Sequence, residues 1–244
     1  MASNIPSRAG PLALVGGDEL NPGNEPQDEV LVAAAKGGPA FVLATAAGRQ
    51  RPDLAVRNAR AWFKRLGLDV DELPAIRRSD VTSPKNAEFA RAGRFFYLVG
   101  GDPGLVPKTL ADTPVWDAIV KAWREGAALA GSSAGAMALG EWTLIRDRRP
   151  GDAKRRYRSA LSIVPGNAVI PHFDRFGERW VDGALAAAPR DDVVLVAVDE
   201  RSAAVWRNGV WQAFGPGVVT IITRSDRRRF VSGERIEGIP QPAI

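Results

Sequence analysis

The sequence predicts an α/β fold: a doubly wound, mainly parallel sheet with an antiparallel extension at its C-terminal end. Three observations carry that prediction. Short apolar runs alternate with stretches of helical periodicity from residue 12 to residue 198, the pattern of strands joined by crossover helices. Several of these runs close on glycine-rich or acidic turns: Gly16-Gly17-Asp18, Gly100-Gly101-Asp102, Gly131-Ser132-Ser133 and Asp199-Glu200. In open parallel sheets, chemistry gathers at that end of the strands. After Glu200 the pattern changes to short runs around Asn208-Gly209 and Gly215-Pro216-Gly217, which is hairpin chemistry.

In chain order, residues 1–10 read as a flexible tail and 11–244 as one α/β domain. Leu12 to Val15 is a first strand, and Asn21 to Pro26 is loop. A helix over Glu29–Lys36 leads to a strand at Ala40–Thr45, and Ala55–Leu66 has helical spacing stopped by Gly67. Leu68–Ile76 reads as a third strand, and Ser83-Pro84 opens a helix to Ala92. Arg94–Val99 is the fourth apolar run, Pro114–Arg124 a helix, and Ala127–Ala130 the strand leading into Gly131. Ala168–Pro171 is extended, Asp174–Ala188 helical, and Val193–Val198 a buried strand.

Bulk composition narrows the function. The chain has 244 residues, ordinary hydrophobic content, no cysteine and a single histidine. Thiol nucleophiles, disulfide scaffolds and thiolate metal sites are excluded. One histidine without cysteine leaves carboxylates as the strong metal ligands, so no metal and no cofactor are expected. The N-terminus lacks the apolar core of a signal peptide and no run approaches ~18 apolar residues, so a cytoplasmic protein with no membrane partner is expected. The net charge is +5, much of it in RDRRPGDAKRRYR at 146–158. With Tyr157 as its one aromatic and a Pro-Gly break, that run reads as a solvated loop, and no nucleic-acid partner is expected.

The organising stretch is ALAGSSAGAMALG at 128–140. Gly131-Ser132-Ser133-Ala134-Gly135 fits the G-x-S-x-G elbow, in which a serine sits on a sharp strand-to-helix turn between glycines. A serine needs a base to attack a carbonyl, and His172 is the only imidazole. The imidazole needs an acid on its far nitrogen; Glu200 is the first choice, with Asp199 and Asp174 as alternatives. Alternation along a strand lets only one of Asp199 and Glu200 face the histidine. Backbone N–H groups of Gly101 and Ala134 are the candidate oxyanion donors. Asp102, Arg175 and Arg179 are candidate substrate contacts, although both arginines also fit a solvent-facing helix. The order Ser133, His172, Glu200 disfavours an esterase of the α/β-hydrolase type, where the histidine comes last. Neither glycine turn forms G-x-G-x-x-G, which disfavours a nucleotide-binding fold.

These pieces together resemble peptidase family S51, typified by dipeptidase E and cyanophycinase. The resemblance rests on the glycine-glycine-acid turn after Phe95–Val99, GSSAGA at 131–136, PHF at 171–173 and VVLVAVDE at 193–200. It implies a flavodoxin-like sheet similar to class I glutamine amidotransferases, with serine in place of their cysteine. It also implies a triad of Ser133, His172 and Glu200 working through an acyl-enzyme on small, Asp-containing peptides. The alternatives are hydrolysis of an aspartate-backbone polymer, as by cyanophycinases, and a non-catalytic binding protein that kept the fold. Pro103-Gly104 after the acid turn departs from the glutamine expected of cyanophycinases.

Overall fold

The computed structural model describes residues 9–35, 37–146 and 155–244. Fourteen strands follow in chain order among them: β1 (Leu12–Val15), β2 (Ala40–Leu43), β3 (Asp71–Glu72), β4 (Phe95–Leu98), β5 (Ala128–Ser132), β6 (Gly140–Arg146), β7 (Arg155–Ser159), β8 (Val164–Ile170), β9 (Val194–Val198), β10 (Ala203–Arg207), β11 (Val210–Phe214), β12 (Val219–Ile222), β13 (Arg227–Phe230) and β14 (Arg235–Ile236). They form two sheets. The larger has the order β14-β11-β10-β1-β5-β4-β2-β3. Its β1, β5, β4, β2 and β3 are parallel, and β10, β11 and β14 extend it antiparallel. Strands β2 to β5 keep the flavodoxin-like order, with β1 in the place of a fifth strand.

Alternation of side chains divides the interior in two. Leu12, Leu14, Phe96, Leu98 and Leu129 face one core, shared with helix Pro114–Arg124 and the second sheet. Ala13, Val15, Phe95, Tyr97 and Ala130 face the other, which helices Glu25–Ala35 and Pro52–Arg65 cover. This is the double winding that near-continuous apolar strands require. Helix Pro114–Arg124 begins where its sequence says, because Thr113 accepts a hydrogen bond from Trp116 N–H at 3.3 Å and Pro114 needs no partner in the first turn.

Four expectations change. Ala9 and Gly10 are buried rather than loose: Gly10 donates to Trp123 O at 2.9 Å, and Trp123 Nε1–H returns a bond to Gly10 O. Residues 1–8 lie outside the described residues. Of Leu68–Ile76, only Asp71 and Glu72 pair with β2; the apolar Leu68, Val70 and Leu73 plug the core from irregular backbone. The strand at 193–198 does not join the parallel sheet. It lies in a second, six-stranded sheet of order β13-β12-β9-β8-β6-β7, in which β6, β8 and β9 run parallel. Part of the basic run is not loop: Arg155–Ser159 pairs antiparallel with β6 as an edge strand, where charged side chains suit a solvated sheet edge. Residues 147–154 of that run lie outside the described residues. The Asn208-Gly209 hairpin forms as read, with φ of 54° and 82° joining β10 to β11.

Candidate active site

Ser133 follows β5 directly and opens helix Ala134–Leu139. Its φ of 50° and ψ of −112° lie outside the regions a side chain prefers, a strain on the order of 1–3 kcal/mol. The turn is held by Ser133 N–H donating to Val15 O at 3.0 Å and by Met137 N–H donating to Ser133 O at 2.9 Å. The elbow glycines are needed for space. A Cβ on Gly131 would overlap the Gly135 backbone, and one on Gly135 would overlap the carbonyl of Leu98.

Ser133 Oγ lies 2.9 Å from His172 Nε2, and His172 Nδ1 lies 2.8 Å from Glu200 Oε1. Both partners of that second bond are largely shielded, with side chains 21% and 23% exposed. His172 starts the turn after β8 at φ 51°, and its carbonyl accepts N–H groups of Arg175, Phe176 and Gly177 in a π-helical turn over Phe173–Gly177. The helix expected over Asp174–Ala188 is therefore broken: this turn, then one 3-10 turn, then Val181–Ala186. Phe176 stacks on the imidazole, ring centroids 5.1 Å apart.

The turn Gly16-Gly17 joins the histidine to the acid. Gly16 O accepts His172 N–H at 2.7 Å, Gly17 O accepts Arg201 N–H at 2.9 Å, and Gly16 N–H donates to Ser202 O at 2.9 Å. Gly17 has φ 112°, and a Cβ there would overlap the imidazole. The other two acids have different partners. Asp174 Oδ1 accepts Glu200 N–H at 2.9 Å and so braces Glu200. Asp199 Oδ2 accepts Val218 N–H at 2.9 Å, and burial pushes its carboxyl up.

The model of peptidase family S51 fits residues 12–211 of this chain. The chain belongs to that family. A crystal structure of a peptidase from an acI-B1 Actinobacterium is similar over 93% of this chain and 96% of its own, with TM-score 0.81 and 31% identity. A Listeria monocytogenes protein provisionally assigned to peptidase E shares the fold at TM-score 0.55 and 14% identity, over 94% of this chain and 100% of its own. Among curated proteins, a cyanophycinase of Trichormus variabilis is 31% identical over 168 residues, 66% of this chain and 55% of its own length. A Synechococcus elongatus cyanophycinase is 29% identical over 72% of this chain and 56% of its own. The chain thus spans about half the length of the curated relatives it matches.

In this family member the remaining candidates fall into two groups. Gly101 and Ala134 lie on the serine side, and neither N–H is taken by another protein group among the described residues. Gly101 must be glycine for a reason unlike the one its position suggested. At φ 146° its Cα faces the carbonyl of Ala46, which a Cβ would overlap, so the constraint is packing beneath the loop. Asp102 caps its own turn, with Oδ1 accepting Gly104 N–H at 2.9 Å and Oδ2 lying 3.6 Å from Arg49 Nη1. A cleft of about 860 Å³ opens at Gly101 and is lined by Arg49, Asp102, Lys108 and Arg155. Arg175 and Arg179 do not line that cleft. Arg175 Nε lies 4.0 Å from Glu200 Oε2, and Arg179 lies over the ring of Phe176.

Below the serine, burial pushes Asp28 up to about 8 against the opposing hydrogen bond from Trp62 Nε1 at 2.8 Å. Burial likewise raises the neighbouring Tyr97 phenol well above its usual range. The sequence places the Gly16-Gly17 turn at the active end of the sheet but gives it no role there. Glu19, whose carboxylate accepts hydrogen bonds from Gly100 N–H and Ser132 Oγ, has no signal in the sequence.

Proposed function

We propose that this chain is a serine-type peptidase acting on short peptides that carry an acidic residue. The observation that carries the reading is the unbroken line of two hydrogen bonds, 2.9 Å and 2.8 Å, from Ser133 Oγ through His172 to Glu200. With the proton on Nδ1 and held by Glu200, Nε2 is the free acceptor that the Ser133 hydroxyl requires. Ser133 Oγ then attacks the peptide carbonyl carbon while its proton passes to His172 Nε2. The carbonyl oxygen becomes an oxyanion against the N–H groups of Gly101 and Ala134. His172 gives the proton to the leaving nitrogen, the C–N bond breaks, and an ester on Ser133 remains. Water attacks that ester with His172 again as base, releasing the acid and restoring the hydroxyl.

The acidic preference is supported by Lys108 at the cleft that opens at Gly101, beside the Arg49–Asp102 pair. A second reading, hydrolysis of an aspartate-backbone polymer, is favoured by the likeness to proteins named cyanophycinase. Incubating the purified protein with a panel of short peptides and with cyanophycin, read by mass spectrometry, separates the two. Release of products from Asp- or Glu-containing short peptides, abolished in Ser133→Ala, is the expected result. Products from the polymer alone would favour the second reading, and equal turnover by Ser133→Ala would overturn both.

A further inference from the structure

We propose that Glu19 is a positioning residue for the reaction, setting the distance between Ser133 and the oxyanion donor at Gly101. The inference rests on the serine-peptidase reading above.

Glu19 follows the Gly16-Gly17 turn at the end of β1. Its Oε1 accepts Gly100 N–H at 2.7 Å, and its Oε2 accepts the Ser132 hydroxyl at 2.9 Å. One carboxylate therefore ties the residue before the candidate donor Gly101 to the residue before the candidate nucleophile. The partners lie 81 and 113 positions away in the chain, Gly100 on the loop after β4 and Ser132 at the last position of β5. Space around the tie is already used. A Cβ on Gly100 would stand 3.0 Å from Glu19 Oε1 and 3.2 Å from Ser133 Cβ.

Strands β4 and β5 are paired by backbone hydrogen bonds up to Leu98 and Gly131, but that pairing stops before Gly100 and Ser133. Beyond it, the gap between the two loops must be fixed by something else. Asp102 N–H, bonded to Ala46 O at 2.8 Å, anchors the Gly101 loop from below, and Glu19 ties it to the serine side. An oxyanion donor is effective only at hydrogen-bond distance from the developing charge, so a loosened tie lowers the rate without emptying the site. His172 and Glu200 make no hydrogen bond to Glu19, so its loss leaves the base and its acid in place.

A fluorophosphonate probe reads this geometry directly. Ser133 Oγ bonds to phosphorus, fluoride leaves, the hydroxyl proton passes to His172, and the phosphoryl oxygen takes the oxyanion's place. Wild type and the Glu19→Ala, Glu19→Gln and Ser132→Ala variants are labelled over a range of probe concentrations. The maximal labelling rate, the half-saturating concentration, the final stoichiometry and the thermal midpoint are measured for each. Glu19→Ala should reach wild-type stoichiometry at a maximal rate about 100-fold lower, the scale of losing one oxyanion donor, with half-saturation unchanged. Glu19→Gln keeps an oxygen for Gly100 N–H and an amide for Ser132 Oγ, so it should stay within about fivefold of wild type. Ser132→Ala cuts the serine end of the tie and should slow labelling by about tenfold, a Ser132→Ala rate equal to wild type counting against the proposal.

A Glu19→Ala rate equal to wild type would overturn the proposal. So would a loss confined to stoichiometry, which marks misfolding, or a Glu19→Gln variant as slow as Glu19→Ala. Wild-type protein left unlabelled at Ser133 would instead overturn the serine-peptidase reading, and this inference with it.

Discussion

The two sheets contribute unequally to the site. The eight-stranded sheet brings Ser133 on a buried strand and helix, with Gly101 on the adjacent loop. The six-stranded sheet brings His172 and Glu200 on the loops after β8 and β9. One side is fixed by close packing of glycines against backbone. The other is fixed by hydrogen bonds to a two-residue turn that belongs to the first sheet. The line from Ser133 to Glu200 is thus assembled across a seam, and Gly16-Gly17 is the stitch.

The largest expected effect tests whether the two sides act as one unit. Ser133→Ala and His172→Ala should each lower peptide turnover by about a million-fold, and the double variant should be no slower than either. Steady-state kinetics on the most active peptide measures this, and additive losses would show two separate contributions. Next comes the stitch. Gly17→Ala puts a methyl group into the imidazole at φ 112° and should cost about 100-fold in kcat, the scale of a misplaced catalytic group. Full activity in that variant would mean that the imidazole has room to move aside.

A third prediction concerns the interior of the serine side. Asp28 ionises near 3.8 in the unfolded chain and near 8 in the folded protein. The native state therefore keeps a proton that the unfolded chain has lost. This group's contribution to stability falls as pH climbs from about 4 to 8 and levels off above. Asp28→Asn should remove that slope, gaining roughly a few kcal/mol over wild type between the two ends. Urea denaturation across the range checks it, and parallel curves for the two proteins would refute it. The smallest effect lies at the rim of the histidine side. Arg175 is 67% exposed and 4.0 Å from Glu200, so Arg175→Ala should change kcat/KM by less than about threefold. A tenfold loss would extend the working site to that turn.

The same seam marks what could be read from the sequence. The elbow was legible because its pattern is local: two glycines and a serine within five residues, where Gly131 needs room for the Gly135 backbone and Gly135 needs room for Leu98 of the adjacent strand. Helix Pro114–Arg124 and the Asn208-Gly209 hairpin were legible for the same reason. The six-stranded sheet was not. Strand β7 reads RRYRS, a run whose charges look like loop until β6 is known to lie beside it. Strand β9 is apolar enough for either sheet, and only its pairing with β8 and β12 decides. Leu68–Ile76 misled in the opposite direction, since buried leucines and valines fill a core without pairing. His172 stands out because it is the only imidazole, and Glu200 because it follows a buried strand; the structure puts the two within hydrogen-bond distance. Glu19 was hidden because both of its partners come from distant turns.

The Gly16-Gly17 turn has one more consequence, for the way the molecule breathes. Its carbonyls hold the segments bearing His172 and Glu200, the proposed base and its carboxylate, so a local opening there undocks both in a single event. Under the proposed mechanism, partial unfolding at this corner silences the molecule in one step while Ser133 stays seated beside its strand.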